Sequence, residues 1–123
     1  MILRKTFHEI CDESKKNVNA CSVSDVFKLM KNKDSEDFIL VDIREDNEFN
    51  AGHIKGAIHL GKGIIERDIH LHVNDHDKKI VLYCGGGYRS VLAAESLQKM
   101  GYTNVISMDG GWKGWNIESG EIE

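Results

Sequence analysis

A short apolar run, Ile80-Val81-Leu82-Tyr83 behind Lys79, leads straight into Cys84, three glycines, Tyr88 and Arg89. A helical repeat follows at once, Val91-Leu92-Ala93-Ala94-Glu95-Ser96-Leu97-Gln98-Lys99-Met100, and stops at Gly101. This stretch constrains the fold most, because a buried strand, a tight loop and a helix N-terminus must succeed one another without a linker. Cys84 then stands at the carboxyl end of a strand. The loop behind it curls through Gly85, Gly86 and Gly87, which lets its amides turn inward. The positive end of the following helix dipole faces the same point. Arg89 closes the loop with a fixed positive charge. Such a cup favours thiolate over thiol and makes Cys84 a candidate nucleophile.

The rest of the chain repeats the same grammar. Phe38-Ile39-Leu40-Val41-Asp42-Ile43 is a second nearly continuous apolar run, the mark of a strand buried on both faces. Ala57-Ile58-His59-Leu60 and Asn104-Val105-Ile106-Ser107-Met108 are shorter strands. Helical spacing is read at residues 6–16, at 26–30 behind the capping-box residues Ser22 and Asp25, at 45–50, at 63–71 and at 112–115. In the fourth of these, Ile65, Ile69 and Leu71 are placed on one side. Strands alternating with helices predict an α/β fold, a mostly parallel sheet of about five strands with helices on both faces. In such sheets the functional crevice lies beyond the strands' carboxyl ends, where Cys84 is.

Bulk properties narrow the function class. With 123 residues the chain suits one domain. A net charge of -4 without a long basic run argues against nucleic acid as a partner. No apolar stretch reaches the roughly 20 residues that span a membrane, and no signal-peptide core is present near Met1, so a cytoplasmic location is expected. The three cysteines, at 11, 21 and 84, form no CxxC pair, so neither a disulfide framework nor a zinc site is expected. Cys11 and Cys21 are read as incidental thiols, with a role in resolving Cys84 as the alternative. His70, His72 and His76 offer metal spacing, but a polar surface cluster is the expected reading. Trp112 and Trp115 are read as core or rim aromatics.

Four segments resemble the rhodanese-like sulfurtransferase family in its single-domain form. Val41-Asp42-Ile43-Arg44 with Glu45 and Glu48 resembles its acidic strand-end motif. Ala51-Gly52-His53-Ile54-Lys55-Gly56-Ala57-Ile58-His59 resembles its Gly-His-Ile-x-Gly-Ala segment, with Lys55 where many relatives carry proline. Cys84-Gly85-Gly86-Gly87-Tyr88-Arg89-Ser90 is similar to its Cys-x-x-Gly-x-Arg-Ser loop. Gly110-Gly111-Trp112 through Trp115 resembles its closing motif. The likeness covers about residues 21–117. Residues 1–20 are set apart as an N-terminal extension of unknown role, and 21–123 as the rhodanese-like domain.

The resemblance implies a three-layer rhodanese-like fold and transfer of a sulfane sulfur through a Cys84 persulfide. The donor would be thiosulfate or another persulfide, and the acceptor cyanide, a small thiol or a protein thiol. No metal or organic cofactor is implied. Cys84 and Arg89 would be the catalytic pair. Gly85, Gly86, Gly87, Tyr88 and Ser90 would make the substrate-binding loop, and Lys62 and Arg67 would steer anions. Asp42, Arg44, Glu48 and His53 are given structural roles: Arg44 pairs either with Glu48, four residues on, or with Asp42 or another acidic neighbour, and His53 ties a loop. Two other readings stand beside this one. A phosphatase also uses a Cys-loop-Arg cradle, but with five intervening residues where this chain has four, and it needs a general acid. A non-catalytic partner-binding module of the same fold is the third reading, against which the retained Cys84 speaks.

Overall fold

A computed structural model describes residues 4–32 and 37–123. The chain runs α1 (Phe7–Lys15), β1 (Asn19–Cys21), α2 (Val23–Lys31), β2 (Phe38–Asp42), α3 (Asp46–Ala51), β3 (Ile58–His59) and α4 (Ile65–Asp68). A 3-10 turn (Ile69–Leu71), β4 (Lys79–Tyr83), α5 (Arg89–Lys99), β5 (Val105–Met108) and α6 (Gly111–Ile117) complete it. The five strands form one sheet in the order β1-β5-β4-β2-β3, every pair parallel. The predicted α/β fold with its parallel five-stranded sheet and helices on both faces is therefore the observed one.

Local chemistry explains the helix starts. Thr6 and Glu9 form a reciprocal capping box before α1, and Ser22 and Asp25 do the same before α2. The central strands β2 and β4 are apolar along most of their length because alternate residues feed two cores. Val41, Ile43, Ile80 and Leu82 pack on the side of α4 and α5, against Ile65, Ile69, Ala93, Ala94 and Leu97. Leu40, Val81 and Tyr83 pack on the other side, against Val26 and Leu29 of α2 and Trp115 of α6. Burying both faces removes the polar alternation that marks a half-exposed strand.

Two differences from the sequence reading are instructive, at β1 and at residues 63–71. β1 is three residues long and mostly exposed, too short for a hydrophobic pattern, and it is recruited by pairing with β5. Residues 63–71 form only one α-turn and a 3-10 turn, not one helix. Leu71 is accordingly 69% exposed and does not share the buried side of Ile65 and Ile69; six residues past Ile65 is about two thirds of a turn off that face. His70, His72 and His76 join no group of three metal-ligating side chains among the described residues, and His76 stacks on Tyr102 at 4.5 Å. Among the described residues no helix is long and apolar enough to cross a membrane.

α1 and Asn17, in the N-terminal extension, pack onto the rest of the fold. α1 lies on α5, where Ser14 Oγ and Asn17 Nδ2 donate to Glu95 at 3.2 and 3.0 Å. This brings α1 to the carboxyl edge of the sheet, next to the Cys84 loop.

Candidate active site

β4 delivers Cys84 to the end of the sheet, where the residue is buried at 1% exposure. The Gly87 amide donates to Cys84 Sγ at 3.2 Å. The thiol in turn faces Ser90 Oγ at 3.6 Å, and Ser90 Oγ is tied to Ser107 Oγ at 2.7 Å. Gly87 adopts φ +97°, and a Cβ there would meet the Gly110 nitrogen at 3.3 Å, so the curl that aims this amide needs glycine.

The closing Gly-Gly-Trp motif braces the loop from behind. Trp112 N–H donates to Cys84 O at 2.7 Å, and Lys113 N–H to Gly85 O at 3.1 Å. Gly111 has φ +54°, and a Cβ on it would lie 2.3 Å from Cys84 O. No side chain fits that approach.

Arg89 begins α5 and is clamped by Glu48, with Nη1 to Oε1 at 2.8 Å and Nη2 to Oε2 at 3.2 Å. This bidentate bond, aided by the Glu45 backbone N–H, holds the Glu48 carboxyl down to about 2 against the opposing effect of burial. The same bond, with nearby Cys84 adding to it, raises Arg89 above its ordinary value. The loop therefore carries a permanent cation whose charge is matched by a permanent anion.

Of the acidic partners left open for Arg44, the structure shows Asp42. The local pair with Glu48 is not formed, because Glu48 turns to Arg89. Arg44 Nη2 instead bonds Asp42 Oδ2 at 2.7 Å and Gly52 O at 2.7 Å, and its guanidinium lies 4.5 Å over the Trp112 ring. Tyr83 hydroxyl donates to the same Asp42 oxygen at 2.7 Å and accepts from Ile54 N–H at 3.0 Å. Asp42 is fully buried and Arg44 nearly so. This network lies under the loop and fastens the strand ends.

Other sequence candidates are scattered. His53 stacks on Phe49 at 3.7 Å and meets Phe49 O and Glu123. Arg67 is mostly exposed and bidentate to its neighbour Asp68. Lys62 is held by its backbone to Ile43 O at 3.0 Å, and its charge reaches Cys11.

Proximity in space adds residues that spacing does not reveal. Cys11, on α1, is buried at 2% exposure and donates to Tyr88 O at 3.5 Å. Burial pushes its thiol up, and Asp12 and Cys84 add to this, so Cys11 stays a neutral thiol against the loop. The exposed Tyr88 ring packs edge-on to His8 at 4.6 Å and near Phe7 at 6.3 Å. A cavity of about 310 Å³ separates α1 from the loop, with Cys11, Gly87 and Tyr88 in its wall. Cys21 stands elsewhere, packed against the core on the α2 side, with burial pushing it up to about 11. A larger cavity of about 710 Å³ lies between α2 and the C-terminal segment, walled by residues such as Phe27, Met30 and Phe38 and by no residue of the Cys84 loop.

The rhodanese-like domain profile matches residues 24–118. This chain belongs to the rhodanese-like family. It is 35% identical over 88 residues to a thiosulfate sulfurtransferase GlpE of Pseudoalteromonas translucida, covering 72% of this chain and 82% of that one. Among solved structures, a protein of Rhodopseudomonas palustris described as of unknown function and a possible tyrosine phosphatase superposes with a TM-score of 0.85 at 30% identity, covering 100% of this chain and 98% of that chain. A thiosulfate sulfurtransferase of Pseudomonas aeruginosa gives a TM-score of 0.77 at 28% identity, covering 85% of this chain and 20% of that chain. α1 lies outside the profile match.

Proposed function

We propose that this rhodanese-like protein is a sulfurtransferase that carries a sulfane sulfur on Cys84. The observation that supports this reading best is the Gly87 amide aimed at Cys84 Sγ at 3.2 Å inside a small loop, with Cys84 itself buried. A donor such as thiosulfate presents its outer sulfur to the Cys84 thiolate. A bond forms between Sγ and that sulfur, the donor's S–S bond breaks, and sulfite leaves with the electron pair. Cys84 is left as a persulfide whose terminal sulfur is anionic. The Gly87 amide and the N-terminus of α5 are placed to stabilise that charge. Arg89 holds the loop's shape through Glu48 as well as adding positive potential. An acceptor nucleophile then attacks the terminal sulfur and restores the Cys84 thiolate, which is ping-pong covalent catalysis. Three free thiols fit a reducing compartment, the cytoplasm in this proposal.

The likeness to the Rhodopseudomonas palustris protein keeps a phosphatase as the second reading. Only four residues lie between Cys84 and Arg89, a smaller ring of amides than a phosphoryl group needs. A partner-binding role without chemistry would leave the sulfur cradle without a purpose.

The deciding experiment is intact-protein mass after incubation of reduced protein with thiosulfate, on wild type and Cys84→Ser. A gain of one sulfur atom, reversed by reductant and absent from a folded Cys84→Ser, is the expected result. Equal gain in Cys84→Ser would sink the mechanism. Turnover of p-nitrophenyl phosphate without any sulfur gain would favour the phosphatase.

A further inference from the structure

We infer that Ser107, on β5, is a positioning residue of the Cys84 site: its hydroxyl turns the Ser90 hydroxyl towards Cys84 Sγ as that sulfur gains charge on parting from the transferred sulfur. The inference rests on the sulfurtransferase reading. It gives a part in that chemistry to a residue outside the loop and outside the four segments that resemble the family.

A hydroxyl is out of place at this point of the fold. Ser107 is 0% exposed in a strand whose other buried residues, Val105 and Met108, feed the two cores. Strand alternation puts Ser107 on the face of Val105, which packs on the α5 side. Burying a hydroxyl costs free energy unless it is hydrogen-bonded. Among the described residues Ser90 is the one side-chain partner of Ser107, Oγ to Oγ at 2.7 Å. Ser90, in the first turn of α5, is itself 0% exposed, and its Oγ lies 3.6 Å from Cys84 Sγ. Ser107, Ser90 and Cys84 thus form a chain closed to water.

Each hydroxyl has one proton to give. A Cys84 thiol donates to Ser90 Oγ, and Ser90 can then donate to Ser107. A charged Sγ only accepts. Ser90 must then donate to Sγ, and Ser107 must donate to Ser90. Either oxygen of the pair can be the donor at this geometry, so the chain reverses without moving a heavy atom. Ser107 fills the lone pair of Ser90 Oγ that faces it and leaves the Ser90 proton for sulfur. Without Ser107, the Ser90 hydroxyl is free to turn to a nearby backbone carbonyl.

The two half-reactions move charge on Sγ in opposite senses. In loading, the Cys84 thiolate attacks the donor and loses charge. In discharge to cyanide, the cyanide carbon bonds the terminal sulfur and the S–S bond breaks. Its electron pair returns to Sγ, thiocyanate leaves and Cys84 is a thiolate again. A hydrogen bond to Sγ therefore speeds discharge by improving the leaving group, and restrains loading by weakening the nucleophile. The charged and titratable groups that act on Cys84 besides are Arg89, clamped by Glu48, and Cys11 of α1. All of them stay in place in the variants that test the chain.

Ser107→Thr and Ser107→Val add nearly the same volume, and only threonine keeps the hydroxyl. Ping-pong kinetics separate the half-reactions as kcat/KM for thiosulfate, taken on the plateau of its pH profile, and kcat/KM for cyanide. Relative to Ser107→Thr, Ser107→Val is expected to lose about threefold for cyanide and to keep or gain up to about threefold for thiosulfate. Ser107→Ala, compared with wild type, removes the hydroxyl without added volume and is expected to show the same split. In a Ser90→Ala background the exchange of threonine for valine is expected to change neither constant, because Ser107 acts through Ser90. Equal losses in both half-reactions would mean general damage to the loop and would overturn the inference. Equal cyanide constants for threonine and valine, or a loss that persists in the Ser90→Ala background, would overturn it too, with the sulfurtransferase reading intact. A wild type that takes up no sulfur overturns that reading and this inference with it.

Discussion

Glu48 shows how one side chain can govern another's chemistry. It holds Arg89 by two bonds, of 2.8 and 3.2 Å, across 41 residues of sequence. Its carboxyl sits at about 2 in the folded protein, below the ordinary 4.5. A depressed acid stabilises the fold fully above its unfolded value, and that contribution fades as pH falls from about 4.5 through about 2. Glu48→Gln is therefore expected to flatten the acid side of the stability curve in that window, read by circular dichroism against pH. At neutral pH, where that contribution is fully present, the same variant is expected to lower kcat/KM for thiosulfate by about tenfold or more and to lower the melting temperature only modestly, because the lost bond was a partly exposed one. Glu48→Asp, with its shorter reach, is expected to recover part of the rate. If Glu48→Gln keeps full activity, Arg89 does not depend on the clamp. At this scale the sequence identifies Cys84 and Arg89 as residues of interest, but it leaves Glu48 beside Arg44, its nearest cation in the chain. The local choice loses because Asp42 already meets Arg44 with two oxygens.

The elements that matter most to the site are the two ends brought against each other, the loop after β4 and the start of α6. Their contact runs through backbone, with Cys84 O and Gly85 O accepting from Trp112 and Lys113. Gly111→Ala would put a methyl group where Cys84 O stands, 2.3 Å from its centre, in a φ region that alanine avoids. The expected loss is about 2 kcal/mol or more of stability, seen as a lower denaturation midpoint, together with loss of sulfur uptake at Cys84. A variant of wild-type stability and activity would show that α6 does not brace the loop. The strand–loop–helix junction at Cys84 is legible in the sequence because it is continuous. The brace is not, since the motif shows two adjacent glycines without saying what approaches them. α4 is misread for a related reason: an apolar spacing of four, Ile65 to Ile69, fits a long helix and a single turn equally well, and the 3-10 geometry that follows exposes Leu71.

Across the whole molecule, the Asp42–Arg44–Tyr83 network fixes the carboxyl edge of the sheet on which the site is built. A buried ion pair adds little net stability, but removing one partner strands the other charge. Asp42→Ala leaves the Arg44 guanidinium, 3% exposed, without its carboxylate and is expected to cost about 3–5 kcal/mol in chemical denaturation. A loss below about 1 kcal/mol would mean that water or another acidic group replaces Asp42. The sequence by itself determined the fold class and the place of Cys84, because strands buried on both faces write continuous apolar runs and a tight junction writes its glycines in order. Only the tertiary structure decided which distant groups share the site. The strand order puts β2 beside β4, which brings Glu48 to Arg89. It puts β1 beside β5, and α1, laid on α5, sets Cys11 against Tyr88, 77 residues away. Such meetings depend on how strands are ordered and helices layered, and no local spacing in the chain encodes that order.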